Sequence, residues 1–162
     1  MRTLTKHDNI EGKQEWYTPK YIIDAFPVFD LDPCSPMIRP FETAKNYYTK
    51  EDNGLVQNWT GSVWLNPPYG RETKIWMRKL KEHGNGVALI FARTDTSTFF
   101  DSIWDGADGI FFFRKRLKFI NENGETPGGA GAPSCLVAYG KHFCNIINSE
   151  NFNIQGKFLW IR

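Results

Sequence analysis

The stretch Ser62-Val63-Trp64-Leu65-Asn66-Pro67-Pro68-Tyr69-Gly70 limits the possible folds more than any other part of this chain. Val63, Trp64 and Leu65 are good strand formers. Pro67 and Pro68 end the strand, because a prolyl nitrogen cannot donate to a sheet ladder. Asn66 is therefore expected at a strand's carboxyl end, the edge at which open α/β sheets bind ligands. The two prolines keep the following backbone stiff and extended, and their carbonyls lack obvious local donors. Tyr69 supplies a flat ring and a hydroxyl, and Gly70 lets the chain turn away.

These groups suit an exocyclic amine such as the N6 amine of adenine. An amide oxygen at Asn66 and the carbonyl of Pro67 can accept its two hydrogens. That favours a pyramidal nitrogen and frees a lone pair otherwise delocalised into the ring. Stacking on Tyr69 adds roughly 1–3 kcal/mol per base. The plain alternative is a strand-to-loop turn that merely reads Asn-Pro-Pro-Tyr.

At 162 residues the chain is expected to be one domain, residues 1–162. Its 41% hydrophobic content is enough to fill a core, and a net charge of +2 identifies no partner. Cys34, Cys135 and Cys144 have no paired spacing, and His7, His83 and His142 are scattered. That argues against a structural metal or a disulfide framework. No run approaches a membrane span and no secretory leader is evident, so a reduced, cytoplasmic setting is expected. Met1–Lys13 is polar and expected to be loose.

Thr18 and Pro19 are suited to open a short helix over Lys20–Phe26. Trp16 and Tyr17 before it read either as core aromatics or as the lip of a cofactor pocket. Val28–Asp32 reads as a strand that Pro33 ends, so Asp32 shares the carboxyl edge with Asn66. Its carboxylate is placed for a ligand's ammonium group or hydroxyls, or simply for an Asx-type turn. Ala44–Tyr48 reads as a strand and Glu51–Leu55 as a turn. There, Glu51 or Asp52 is a candidate for the cofactor's ribose or adenine, or just a solvated acid. Arg71–His83 reads as an amphipathic helix with Ile75, Trp76 and Leu80 inward. Arg71, Lys74, Arg78 and Lys81 then share a face that either lies along phosphates or is simply solvated.

Gly86–Ala92 is a near-continuous apolar run, as in a buried parallel strand. Arg93-Thr94-Asp95-Thr96 follows, with Asp95 or Thr96 capping a helix to about Trp104. Arg93 and Asp95 form either an ion pair or substrate contacts. Gly109–Phe113 is another buried strand, after which Arg114, Arg116 and Lys118 alternate on an extended segment. Residues 121–133, with Gly124, Pro127, Gly128, Gly129, Gly131 and Pro133, read as a long mobile loop. Ser134–Tyr139 returns as a strand, and Lys157–Ile161 is the last. The order predicts an α/β sheet, mostly parallel, with an antiparallel hairpin at one edge.

Six elements carry a likeness: Glu15-Trp16-Tyr17-Thr18-Pro19, Asp30–Ser35, Asp52–Leu55, Val63–Gly70, Arg93–Thr96 and Arg116–Phe119. In this order, across residues 15–140, the chain resembles the phage-type DNA N6-adenine methyltransferases, the Dam-like family. The Asn-Pro-Pro-Tyr run alone is less specific, since RNA and protein-glutamine methyltransferases share it. The resemblance implies a Rossmann-like core and S-adenosylmethionine beside Trp16, Tyr17, Thr18, Asp32, Pro33, Cys34 and Asp52. It implies Asn66, Pro67, Pro68 and Tyr69 as the catalytic loop and double-stranded DNA as partner. The target base then leaves the duplex, in a phage or prophage setting within the host cytoplasm. Arg71, Lys74, Arg93, Arg114 and Arg116 are the residues expected on DNA.

Two departures matter. Asp32-Pro33-Cys34-Ser35 stands where larger relatives carry a glycine-rich loop. No separate target-recognition domain is visible, so residues 121–133 or the basic helix must read DNA. The competing expectations are the same chemistry on RNA or a glutamine side chain, and a nucleic-acid-binding module without turnover.

Overall fold

The fold is taken from a computed structural model that describes residues 16–126 and 128–162. Glu15, the expected loose segment Met1–Lys13 and Pro127 lie outside the described residues. Seven strands make one sheet: β1 (Phe29–Asp32), β2 (Ala44–Tyr47), β3 (Val63–Leu65), β4 (Gly86–Phe91), β5 (Gly109–Phe113), β6 (Ser134–Tyr139) and β7 (Gly156–Trp160). Their spatial order is β2-β1-β3-β4-β6-β5-β7. Helices α1 (Lys20–Ile23), α2 (Thr73–His83) and α3 (Lys141–Ile147) and a π-helix at Phe99–Trp104 cover it.

The two ends of the sheet differ. β2, β1, β3 and β4 run parallel. Every pairing beyond β4 is antiparallel. The expectation of a mostly parallel sheet thus holds at one end, and the antiparallel part is more than an edge hairpin. β6 inserts between β4 and β5 and is buried at every position. A strand as apolar as Ser134–Tyr139 cannot remain at an edge without exposing that surface to water.

Alternation along the strands feeds two cores. On one face Phe29, Trp64, Val87, Leu89 and Leu136 pack with Ile22 of α1 and Phe143 and Ile147 of α3. On the other, Leu31, Val63, Leu65, Ala88 and Ile90 pack with Trp76, Met77 and Leu80 of α2 and with Phe99 and Ile103 of the π-helix. Ile75 was expected inward but is exposed, and Met77 takes its place. With Trp76 and Leu80 facing the sheet, Met77 lies about 60° from Leu80 around the helix and position 75 about 140° from it, which turns Ile75 to solvent.

Other local expectations also shift. Helix α1 is a single turn, preceded by Pro19, and Thr18 does not cap it. The helix after Thr96 winds as a π-helix, closed by a bond from the Asp105 amide to the Phe100 carbonyl five residues back. Helix α3 was not foreseen, although Phe143, Cys144 and Ile147 bury one side of it. Along the segment after β5, alternation begins at Arg116: Leu117 and Phe119 are buried, while Arg116 and Lys118 are exposed. The glycine-rich stretch is tied down at Ala130, whose amide donates to the Leu117 carbonyl at 2.7 Å.

Candidate active site

The carboxyl ends of β1 and β3 lie side by side, paired in parallel at Leu31 and Val63. They open onto a cavity of about 660 Å³. The cavity gathers most of the residues singled out in the sequence: Trp16, Tyr17, Thr18, Asp32, Pro33, Cys34, Asn66, Pro67, Pro68 and Tyr69. The turn after β2 closes one side with Asn53, Gly54 and Leu55. Its contact with the acid-proline edge is close enough that a Cβ at Gly54 would collide with the Pro33 carbonyl. Asp52 is not on this wall. It is exposed, and its Oδ2 accepts from the Thr49 amide at 2.8 Å and the Thr49 hydroxyl at 2.9 Å, a local turn.

Asp32 is 3% exposed. Burial pushes its carboxyl up to about 6, against a donation from Thr43 Oγ1 at 2.5 Å, one from the Cys34 amide at 3.2 Å, and the nearby positive charge of Arg39. The turn after β1 supplies the Cys34 amide, the start of β2 brings Thr43, and among the described residues no lysine or arginine forms an ion pair with Asp32. Asp30, two residues before Asp32 and half-buried, bonds Lys45 and Ser62 instead and is held down to about 2.

Asn66 is held by its amine end. Its Nδ2 donates to Thr18 Oγ1 at 3.3 Å, and Thr18 is itself buried. The Oδ1 is buried with no hydrogen-bond partner among the described residues. Thr18, expected to cap a helix, therefore orients the amide so that its acceptor is left over. A buried unsatisfied acceptor costs about 1–3 kcal/mol, a cost that a donating ligand removes. The two proline carbonyls differ. Pro68 accepts from Thr73 Oγ1 at 2.6 Å, contrary to the expectation that it lacks a local donor. No donor reaches the Pro67 carbonyl among the described residues.

Tyr69 separates this cavity from a second one of about 690 Å³. Its ring stacks on Phe91 with centroids 4.2 Å apart and meets Phe119 edge-on. One face is thus already covered, and only the other is left for a base. The Tyr69 hydroxyl is buried without a partner among the described residues, which holds its pKa far above the ordinary value. Arg71, Arg93, Thr96, Thr98 and Gly131 line the second cavity. Lys74 does not: it pairs with Asp101 at 2.9 Å, and Lys81 donates to the Asp101 carbonyl at 2.7 Å. Half of the expected basic face is thereby spent on the π-helix. Arg114 and Arg116 are exposed and line neither cavity. No ion pair joins Arg93 to Asp95 among the described residues.

Three contributors escaped the sequence reading. Arg39 lines the first cavity with its guanidinium 3.9 Å from the Tyr47 ring centroid. Thr43 donates to Asp32. Lys79 donates to the carbonyls of Gly54, Leu55 and Gln57 at 3.2, 2.6 and 2.5 Å, and so bolts the outer wall to α2. No motif marks these positions, since each acts through a long-range contact.

An α/β sheet that gathers a buried acid and an orphaned amide acceptor at its carboxyl edge belongs to the ligand-binding class of such sheets. The family model for DNA N-6-adenine-methyltransferase (Dam) matches residues 5–151, and the chain belongs to that family. Membership implies DNA adenine-N6 methyltransferase activity in general, with DNA as substrate. No curated protein and no solved structure matches the chain. No helix among the described residues is long and apolar enough to cross a membrane.

Proposed function

We propose that this chain, as one minimal domain with a Rossmann-like methyltransferase core, methylates adenine N6 in double-stranded DNA with S-adenosylmethionine bound in the first cavity. The observation that carries this reading is the buried, unpartnered Oδ1 of Asn66, beside an unclaimed Pro67 carbonyl. The donor set fits the cofactor. Among the described residues, Trp16 Nε1 and Arg39 Nε are also buried without partners on this wall, and Asp32 is a buried acid suited to an ammonium group. When bound, S-adenosylmethionine supplies an electrophilic methyl group.

The chain does the rest by positioning. Asn66 Oδ1 and the Pro67 carbonyl accept the two N6 hydrogens and hold the nitrogen lone pair in one direction. Pro68, fixed by Thr73, keeps the loop rigid. Tyr69, backed by Phe91, offers its remaining face to a flipped base. Trp16, Tyr17, Thr18, Pro33 and Cys34 wall the cofactor, while Asp52 supports the turn from outside. Arg71 and Arg93 are the nearest cations to the flipped nucleotide, and Lys74, Arg114 and Arg116 extend the surface for phosphates. Transfer of labelled methyl groups to duplex DNA tests the reading, with single-stranded DNA and RNA as competitors. A folded protein that transfers none to DNA overturns it.

A further inference from the structure

Arg39 reaches the first cavity from the loop after β1 and has no anionic partner among the described residues. Its guanidinium stacks on Tyr47. Nη1 makes only long contacts, 3.5 Å to Ser35 Oγ and 3.4 Å to the Pro36 carbonyl. Nε is buried with no hydrogen-bond partner among the described residues. The ion pairs of the described residues join Lys20 to Asp24, Lys45 to Asp30 and Lys74 to Asp101, and none involves Arg39. A cationic donor buried without an acceptor is costly. A guanidinium held flat by an aromatic ring presents a fork shaped for a carboxylate.

Asp32 lies on the same cavity, and the Arg39 charge is near enough to favour its ionised form. The two side chains are kept apart as one cation and one anion rather than closed into a pair. A ligand end that carries both an ammonium and a carboxylate matches both at once. We propose that Arg39 anchors the carboxylate at the amino-acid end of the cofactor while Asp32 faces its ammonium group. This rests on the reading of the first cavity as the S-adenosylmethionine site.

The test is calorimetry with ligands trimmed one group at a time. S-adenosylhomocysteine should bind the wild-type protein about 10- to 100-fold tighter than its decarboxylated analogue, the range for losing a charge-assisted hydrogen bond. In Arg39→Met that ratio should fall to within about threefold, with the affinity for the decarboxylated analogue nearly unchanged. Arg39→Lys should keep part of the preference, since it keeps the charge and loses the fork.

If the wild-type protein binds both ligands equally, the Arg39 assignment is wrong whether or not any variant folds. The same holds if a folded Arg39→Met protein keeps the wild-type ratio, or if it loses DNA affinity and not carboxylate preference. Failure of the wild-type protein to bind S-adenosylhomocysteine at all removes the cofactor reading itself, and the Arg39 assignment with it.

Discussion

The two cavities on either side of Tyr69 are nearly equal in size, about 660 and 690 Å³, but opposite in electrical character. The first mixes signs: Asp32 and Glu72 share its wall with Arg39 and Lys50. The second has Arg71 and Arg93 and no acid in its lining. A balanced wall suits a zwitterion and a one-signed wall suits a polyanion. The net charge of +2 averages this division away. Charge segregates here over one side chain, and Tyr69 is the partition.

If the partition is functional, damage on one side leaves the other intact. The largest effect is expected at the border. Asn66→Ala should lower turnover by about a hundred- to a thousandfold, the range for one lost hydrogen-bonding group in a reaction centre. It should keep its melting temperature and its affinity for S-adenosylhomocysteine. A folded variant that methylates DNA at the parental rate would dismiss the amide as the acceptor.

Next comes pH on the cofactor side. Burial raises the folded-state pKa of Asp32 to about 6, above the ordinary carboxylate range. Its neutral form is therefore the one favoured by folding. That contribution to stability is complete below about pH 4 and is lost as pH rises through 6. Binding of a cation needs the ionised form, so S-adenosylhomocysteine should bind about tenfold tighter at pH 7 than at pH 5. In Asp32→Asn the rise should vanish, and the unliganded variant should melt higher than wild type at pH 7 but not at pH 4. A flat wild-type profile from pH 5 to 7 would place the cofactor's charge elsewhere.

Thr18 sharpens the border more finely. Thr18→Val removes the hydroxyl that holds the Asn66 amide and keeps the side chain's bulk. Turnover should fall roughly three- to tenfold, the range for a neutral hydrogen bond, with a smaller change in cofactor affinity, since the side chain's bulk on the cofactor wall is kept, and Thr18→Ser restoring the rate. A change in cofactor affinity alone would make Thr18 a wall residue and nothing more.

The smallest effects belong to the DNA side. Neutralising Arg71 or Arg93 should each reduce the salt dependence of DNA affinity by about one unit of slope and leave cofactor affinity alone. Lys74→Ala should change that slope less, because Asp101 already pairs with Lys74. Equal slopes for all three variants would show that the second cavity is not where phosphates meet the chain.

What the sequence made legible followed from strand ends. Pro33 and Pro67 mark where two strands must stop, and so place Asp32 and Asn66 on one edge. Residues whose roles are local, such as Asn66, were readable on that ground. Arg39, Thr43 and Lys79 act across the fold, and nothing in their immediate neighbours signals it. Ile75 was misplaced because an apolar residue next to Trp76 looks like core, yet it lies about 140° from Leu80 around the helix, and Met77 fills the face instead. The sheet's antiparallel half was under-read because Ser134–Tyr139 is apolar on both faces. A two-sided apolar strand signals burial but not direction or neighbours.

The bolt formed by Lys79 has a consequence for recombination among homologous chains. The turn at 49–57 looks like an exchangeable surface loop, yet its carbonyls are gripped by a helix whose Thr73 also fixes Pro68. Because Lys79 grips main-chain carbonyls, a chimaera that swaps residues 49–57 keeps the grip only if the new turn has the same length and backbone course. The two segments, separated by a whole strand, are mechanically one unit, and crossovers are best placed before the first or after the second.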